Sequence, residues 1–199
     1  MSWFSINFDY RCPFARNANE HVLTAVEAGA PWHVEFRAFS LTAVHAEEGD
    51  PPVFSDPAKR PELVALAAGV VVRDRFPEQF YAAHRSLFAA RHDDGGDLRD
   101  DAVVRNALQR AGVDPDAVYE ELASGWPFAT IEKEHVEEVA AHQVFGVPTF
   151  GIGENSVFVR IMTRPRDDAV KARATIEHVL SLIADHPELN EVKHTTVPR

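Results

Sequence analysis

The first forty residues carry a strand, a helix and a second strand in succession, and this order constrains the fold more than any other feature. Residues 3–8 alternate between apolar and polar side chains, which is typical of a strand with one buried face. A helical spacing of apolar residues follows over 14–28, and Gly29 ends it. Residues 32–39 alternate again. Two strands joined by a crossover helix are expected to pair in parallel.

The rest of the chain places a helical stretch between this unit and a second one. Residues 61–125 carry helical periodicity and turn signals but no strand pattern. A helix over 130–143 then leads to a turn and short strand within 144–153, a second strand over 156–161 and a last helix over 166–184. The order β-α-β, helices, α-β-β-α predicts an α/β protein with a thioredoxin fold and a large all-helical insertion.

These elements divide the chain into three parts. We expect a thioredoxin-like domain of residues 1–45 and 130–185, and an inserted helical domain of residues 60–129. Residues 42–61 are rich in Pro, Asp and Glu and are expected to form a loop. Residues 186–199 are predicted to be a polar tail.

Composition excludes several classes of function. The formal net charge is −11 over 199 residues, which disfavours binding to nucleic acid or to anionic membranes. No stretch approaches the roughly 20 apolar residues that span a bilayer, and the N-terminus lacks the basic start and apolar core of a secretory signal. We therefore expect a cytoplasmic protein that binds neither membranes nor nucleic acid. No phosphate-binding glycine loop or dinucleotide fingerprint is present, so we expect no tightly bound cofactor.

The single cysteine lies in the stretch FDYRCPFA, where the first strand gives way to the first helix. A thiol is nucleophilic only as thiolate, and the N–H groups and positive dipole end of a helix N-terminus favour that form. Pro13 suits the first helical position, because it has no N–H to leave unpaired. Arg11 and Arg16 can add cationic stabilisation, whereas Asp9 opposes it. We therefore predict a pKa for Cys12 below the ordinary value of about 8.5, although a lone cysteine is also a common buried apolar residue.

Two motifs together resemble a known family. Cys12-Pro13 at a helix start and Gly146-Val147-Pro148-Thr149-Phe150 far downstream, on either side of a helical insertion, resemble the DsbA-like branch of the thioredoxin superfamily. The resemblance extends over residues 3–184. The pattern is similar to cytoplasmic bacterial proteins that include mycothiol-dependent nitroreductases, and to kappa-class glutathione transferases and 2-hydroxychromene-2-carboxylate isomerases.

The resemblance implies a site built around Cys12. It implies that Pro148 follows a cis peptide bond and packs beside the cysteine, and that Val147 offers backbone N–H and C=O groups to an extended partner. Phe14 directly follows the Cys-Pro pair and is expected at the rim, with Trp126 and Phe128 as weaker rim candidates. With Cys12 as the catalytic residue, the predicted substrate-binding residues are Arg11, Pro13, Phe14, Val147, Pro148 and Thr149.

The chain departs from dithiol oxidoreductases of this family at one position. Those proteins carry Cys-x-x-Cys, in which the second thiol resolves the mixed disulfide, but here that position is Ala15. The departure favours a monothiol mechanism with glutathione or mycothiol as co-substrate. The expected partners are a small thiol or disulfide, or a protein mixed disulfide, and relatives suggest a homodimer.

Three other interpretations remain open. A kappa-like transferase or isomerase would activate the thiol of bound glutathione, although such relatives usually place serine where Cys12 stands. A redox-inactive binding module could use the same cleft. His135, Glu138 and His142 share a helix face, but neighbouring glutamates make a solvated acidic helix the better interpretation, and we expect no metal site.

Overall fold

The computed structural model describes residues 2–47, 49 and 51–194. Its four strands are β1 (Ser2–Phe8), β2 (Trp32–Ala38), β3 (Thr149–Ile152) and β4 (Asn155–Phe158). Its α-helices are α1 (Pro13–Glu27), α2 (Leu41–Val44), α3 (Arg60–Arg75), α4 (Phe80–His92), α5 (Asp101–Arg110), α6 (Pro115–Ala123), α7 (Trp126–His142) and α8 (Ala169–Asp185). Short 3-10 turns at Pro57–Lys59 and Pro77–Gln79 precede α3 and α4.

The strands form one mixed sheet in the order β2-β1-β3-β4. β1 pairs in parallel with β2, from Ser2 opposite Trp32 to Phe8 opposite Ala38. β3 runs antiparallel to both β1 and β4. With α1 as the crossover between β1 and β2, this sheet confirms the predicted thioredoxin fold, and α3 to α6 form the helical insertion between β2 and α7.

The alternation in β1 explains how the sheet joins the helices. Phe4, Ile6 and Phe8 are fully buried on one face, because side chains two residues apart point the same way along a strand. Phe36 of β2 lies on this face too, and its ring centroid is 5.2 Å from that of Phe80 in α4. The apolar core therefore continues from the sheet into the inserted helices.

Helix capping follows the sequence closely in the insertion. Asp100 caps α5 by accepting the N–H of Ala102, and Asp114 caps α6 by accepting the N–H of Asp116. Pro115 occupies the first turn of α6, where a proline leaves no N–H unpaired.

Element boundaries differ from the prediction at three places. α7 begins at Trp126 rather than near residue 130, because Gly125 adopts a positive φ of 85° and Pro127 lies in the first turn. Trp126 and Phe128 therefore lie in a helix and not in a loop. Residue 129, the predicted end of the inserted domain, falls inside α7. β4 ends at Phe158, short of the predicted residue 161.

The third difference lies in the predicted loop over residues 42–61. This stretch contains most of α2, which Ser40 caps by accepting the N–H of Ala43, and the 3-10 turn before α3. Residues 186–194 carry neither helix nor strand, and the remainder of the predicted polar tail lies outside the described residues. None of the helices described here combines the length and apolar character needed to cross a bilayer.

Candidate active site

Cys12 occupies the N-cap of α1. The turn after β1 is closed by the N–H of Cys12, which donates to the Asp9 carbonyl at 3.1 Å. The Cys12 Sγ accepts the N–H of Ala15 at 3.4 Å, and Pro13 fills the first helical position. The cysteine is only 7% exposed. The sequence thus places the thiol where a cap residue normally places a hydroxyl or carboxylate oxygen.

The loop before β3 brings a second motif against the thiol. The Cys12 S–H donates to the Val147 carbonyl oxygen at 3.2 Å. The Val147–Pro148 peptide bond is cis, and the Thr149 hydroxyl donates to the Gly146 carbonyl at 2.8 Å. The structure therefore brings Cys12 and Val147 into contact although they lie 135 residues apart in sequence.

The environment of Cys12 overturns one prediction. Burial raises the pKa of the Cys12 thiol, and the nearby Asp9 carboxylate raises it further, although the N–H groups of Ala15 and Phe14 lower it. Burial outweighs the donors, because the almost inaccessible sulfur loses the water that would solvate its charge. The predicted low pKa is therefore wrong, and the neutral thiol is the resting form.

Neither flanking arginine directs its charge to the sulfur. The Arg11 Nη1 is 2.9 Å from Glu62 Oε2 in α3, and the same guanidinium contacts Asp9 and Thr42. Since Arg11 is held by these partners, its binding role stays a prediction.

Arg16 is likewise engaged elsewhere. Its Nε is 3.2 Å from Glu20 Oε1, and its Nη2 contacts Asp93 at the end of α4. Arg164 contacts the same two carboxylates. These four groups join α1, the end of α4 and the segment after β4, so Arg16 has a structural role.

Asp9 also has a clear structural role. Its carboxylate accepts the N–H of Arg11 and the N–H of Leu41, each at 2.9 Å. It therefore links the turn before Cys12 to the start of α2, at the end of the sheet where β1 and β2 both terminate. The effect of Asp9 on the thiol follows from this fixed position.

The rim of the site contains two residues that sequence reasoning missed. Phe14 is half-buried, and the Arg160 guanidinium lies 5.6 Å from its ring centroid. Phe145 is 67% exposed and packs against Phe158, with the two rings tilted and their centroids 5.1 Å apart. Phe145 could have been predicted from the sequence, because it directly precedes the Gly-Val-Pro motif. No sequence feature pointed to Arg160.

Trp126 and Phe128, the weaker rim candidates, make contacts within the helices. The Trp126 indole N–H donates to Glu121 at 2.5 Å, and Arg75 lies over its ring. Phe128 is buried beneath the Arg60 guanidinium, 3.9 Å from its ring centroid. Both side chains therefore serve the packing of the inserted helices.

The residues that we considered as metal ligands do not form a site. The His135 ring packs against Phe39 and Phe54, and Glu138 faces Arg37 at 2.7 Å. Over residues 2–47, 49 and 51–194, no group of three or more His, Cys, Asp or Glu side chains is arranged to hold a metal ion.

The fold and the site together define a thioredoxin-fold protein with one thiol at the N-terminus of α1, facing the loop of a cis proline. The model of the DSBA-like thioredoxin domain matches residues 5–168 of the chain. The chain belongs to this family, which confirms the resemblance drawn from the two motifs. A search of curated protein sequences finds no significant match.

Solved structures show the same fold at low sequence identity. A 2-hydroxychromene-2-carboxylate isomerase has a TM-score of 0.60 at 15% identity, covering 92% of this chain and 98% of its own. A probable DsbA oxidoreductase from Streptomyces coelicolor has a TM-score of 0.59 at 16% identity, covering 86% and 90%. The cytosolic disulfide reductase DsbM from Pseudomonas aeruginosa, solved with GSH, has a TM-score of 0.60 at 12% identity, covering 90% and 100%.

Proposed function

We propose that this protein is a thiol-disulfide oxidoreductase that works through Cys12 alone. The observation that carries the proposal is the position of the thiol, at the N-cap of α1 and 3.2 Å from the Val147 carbonyl. A helix N-terminus supplies donors that stabilise a thiolate as it forms. We propose that the backbone of an extended partner binds at this carbonyl, next to the sulfur.

The proposed reaction has two exchange steps. The Cys12 thiolate attacks a mixed disulfide between a substrate thiol and a small thiol, bonding to the sulfur of the small thiol and releasing the substrate as thiolate. A second small thiolate then attacks the small-thiol sulfur of this adduct, which releases a small-molecule disulfide and restores the Cys12 thiolate. In the net reaction the substrate sulfur is reduced from the mixed disulfide to a thiolate, one small thiol from solution is oxidised as it joins the other in the small-molecule disulfide, and the cysteine is unchanged.

Ala15 is the reason that the second thiol must come from solution. Its methyl group is fully buried at the position where a dithiol enzyme has its resolving cysteine. We propose glutathione or mycothiol as the small thiol and a cytoplasmic site of action, since both thiols maintain reducing compartments. The similar fold of DsbM, a cytosolic disulfide reductase solved with GSH, supports this choice by analogy.

Val147 and Pro148 are proposed to position the partner. The S–H donor to the Val147 carbonyl disappears once Cys12 ionises or forms a disulfide, which leaves the carbonyl to accept an N–H from the partner. Within the part of the chain that the structure describes, nothing accepts the Val147 N–H. We propose that a bound peptide-like thiol pairs with both backbone groups of Val147.

The experiment is capture of a small disulfide, followed by intact mass. The wild-type protein is incubated with glutathione disulfide, and we expect a one-to-one adduct that added thiol removes. Cys12→Ser should form no adduct and should lose all exchange activity. A folded wild-type protein that forms no adduct over the pH range 7 to about 10, in which ordinary thiols ionise, would contradict the proposal.

The protonated state of Cys12 also favours a second candidate function. A neutral S–H can donate to the thiolate of bound glutathione, as a hydroxyl would in a transferase or isomerase. Two variants separate the candidates. A transferase should retain activity in Cys12→Ser, which keeps a donor, and lose it in Cys12→Ala, whereas the oxidoreductase loses activity equally in both.

A further inference from the structure

A chain of buried hydrogen bonds connects both ends of the active-site turn through α4. The Tyr10 hydroxyl is 2.9 Å from His84 Nδ1, and His84 Nε2 is 3.0 Å from Asn19 Oδ1. The Asn19 amide Nδ2 donates to the Ala15 carbonyl at 2.8 Å. Tyr10, His84 and Asn19 are at most 1% exposed, so water does not interrupt the chain.

The direction of each hydrogen bond follows from the last one. Because Nδ2 of Asn19 donates to a carbonyl, its Oδ1 faces His84 and must accept the Nε2–H. Nδ1 of His84 is then the acceptor and takes the Tyr10 hydroxyl proton. Burial lowers the pKa of His84 to about 3 and raises that of Tyr10, so both groups keep these protonation states throughout the physiological range.

The surroundings of His84 make an imidazole unexpected there. Its ring centroid lies 4.7 Å from that of Phe8, 4.8 Å from Phe80, 5.0 Å from Phe88 and 5.4 Å from Phe36. Burying polar nitrogen atoms in such a cluster costs free energy unless both are hydrogen-bonded. A phenylalanine would fill this volume, so the contribution that is specific to histidine is the connection that its two nitrogens make.

The hydrogen-bond chain and the backbone on either side of Cys12 together form a closed ring. Tyr10 precedes Cys12 by two residues, and Ala15 follows it by three. The backbone from Tyr10 to Ala15 forms one arc of the ring, and the side chains of Tyr10, His84 and Asn19 form the other. The N–H of Ala15 is the group that donates to the Cys12 Sγ at 3.4 Å.

We propose that His84 is a positioning residue for Cys12, holding the turn before the cysteine and the first turn of α1 at a fixed separation so that the Ala15 N–H stays aimed at the sulfur. The role in exchange rests on the proposed function. The inserted helices thereby set the geometry of a nucleophile that belongs to the sheet domain. His92 supports the same turn from α4, since its Nε2 lies 2.9 Å from the Tyr10 carbonyl oxygen.

Three variants of the full chain test this role. His84→Phe keeps a ring in the aromatic cluster and removes both hydrogen bonds, Tyr10→Phe removes only the hydroxyl, and the third variant combines them. We expect each to slow capture of glutathione disulfide by about tenfold, as small displacements of reacting groups do. Capture by the double variant should be no slower than capture by the single variants, because the loss of one hydrogen bond already breaks the connection.

The second readout is the pH profile of Cys12 alkylation. The Ala15 N–H lowers the pKa of Cys12, so loss of its alignment should move the alkylation midpoint to higher pH in all three variants. Phe80→Leu is the matched control, because Phe80 contacts the His84 ring but makes no hydrogen bond in the chain. It should lower the melting temperature without moving the midpoint.

Two results would overturn the proposal. One is a folded Tyr10→Phe or His84→Phe protein with the wild-type capture rate and midpoint, and the other is an equal midpoint shift in Phe80→Leu. Tyr10→Phe is the milder change and keeps the test decisive if His84→Phe does not fold. If wild-type Cys12 captures no disulfide, the proposed function fails, whereas the alkylation profiles still decide whether His84 positions the thiol.

Discussion

Cys12 experiences two opposing influences, and their balance decides its chemistry. Two backbone N–H groups at the helix start favour the thiolate, while burial and Asp9 favour the neutral thiol. Burial prevails, because a charge without water costs more than two weak sulfur contacts recover. We expect a partner that brings its own donors, or that opens the site to water, to shift this balance toward the thiolate.

The resting pKa can be measured directly. We expect alkylation of Cys12 in the folded protein to reach half its maximal rate above pH of about 8.5, the ordinary thiol value, since burial raises its pKa. Below that midpoint the rate should fall tenfold per pH unit, because only the thiolate reacts. The urea-denatured protein is the control, and its midpoint should lie lower. A folded-state midpoint below the denatured one would contradict the assigned environment.

Ala15 separates a monothiol from a dithiol mechanism. In Ala15→Cys the introduced thiol lies one helical turn from Cys12, within the usual reach of a disulfide. We expect its adduct with glutathione to resolve without added thiol, releasing one glutathione and leaving an internal disulfide. Intact mass follows both species. Ala15→Ser, of similar size, should keep the adduct, and a persistent adduct in Ala15→Cys would show that the two positions do not meet.

Glu134 of α7 joins three elements at the edge of the sheet. Its carboxylate accepts the N–H of Ala38 at the end of β2 at 2.6 Å and pairs with Arg73 of α3 at 2.7 Å. Arg73 also donates to the Phe36 carbonyl at 2.7 Å. Together the pair satisfies one N–H and one C=O of edge strand β2, which would otherwise be open to pairing with another strand.

Removing this charge should destabilise the fold. We expect Glu134→Gln to lower the free energy of unfolding by about 2–3 kcal/mol, because hydrogen bonds to charged groups are lost in a nearly buried site. Urea denaturation measures the change. Glu137→Gln is the control, since Glu137 pairs with Arg37 near the surface and exposed pairs contribute less than about 1 kcal/mol. Equal effects in both variants would be inconsistent with the assigned role of Glu134.

Gly69 of α3 provides space for the Tyr10 ring. A Cβ atom at this position would lie 2.7 Å from Tyr10 Cε2. Glycine-to-alanine changes in a helix normally stabilise it by about 1 kcal/mol, but we expect Gly69→Ala to destabilise the protein by about 1–3 kcal/mol through overpacking. Chemical denaturation of Gly69→Ala, Tyr10→Leu and the double variant measures the coupling. Additive effects would show that the two residues do not compete for space.

Local patterns predicted the elements better than they predicted their ends. Alternation in β1 and β2 determines structure through neighbouring residues, so it could be read from the sequence. The start of α7 was predicted about four residues too late, because the left-handed conformation of Gly125 that precedes the helix is not visible in the apolar pattern. β4 ends early because the chain leaves the sheet, and the Asn17 side chain then binds the Ile161 carbonyl at 2.9 Å.

The site was predicted only as far as its motifs extend. The Cys12 and Val147 motifs predicted which two residues the fold brings together, since each motif carries its own sequence signal. No sequence signal pointed to His84, because a histidine in an apolar helix pattern does not show which groups its nitrogens bind. The raised pKa of Cys12 was missed for the same reason, as burial is a property of the assembled fold.

The sheet and the inserted helices share one core and should unfold together. Besides the aromatic contacts around His84, the Arg85 guanidinium of α4 pairs with Glu27 of α1 at 2.7 Å. We therefore expect a single urea transition, with coincident curves from far-UV circular dichroism and tryptophan fluorescence. Trp32 reports from the sheet and Trp126 from α7 beside the insertion. Two separated transitions would show that the insertion is an independent unit.

The Val147 carbonyl, at which we propose that a partner binds, already accepts a hydrogen bond from the Cys12 thiol. Binding of a partner at this carbonyl would therefore replace the hydrogen bond from Cys12 with a hydrogen bond from the partner. On the proposed mechanism, a peptide-like disulfide would donate an N–H to that carbonyl, whereas a small peroxide or alkylating reagent would donate none and would meet a neutral, buried sulfur. We therefore expect this hydrogen bond and the burial of Cys12 to protect the thiol from unselective oxidation until a partner that replaces the hydrogen bond binds.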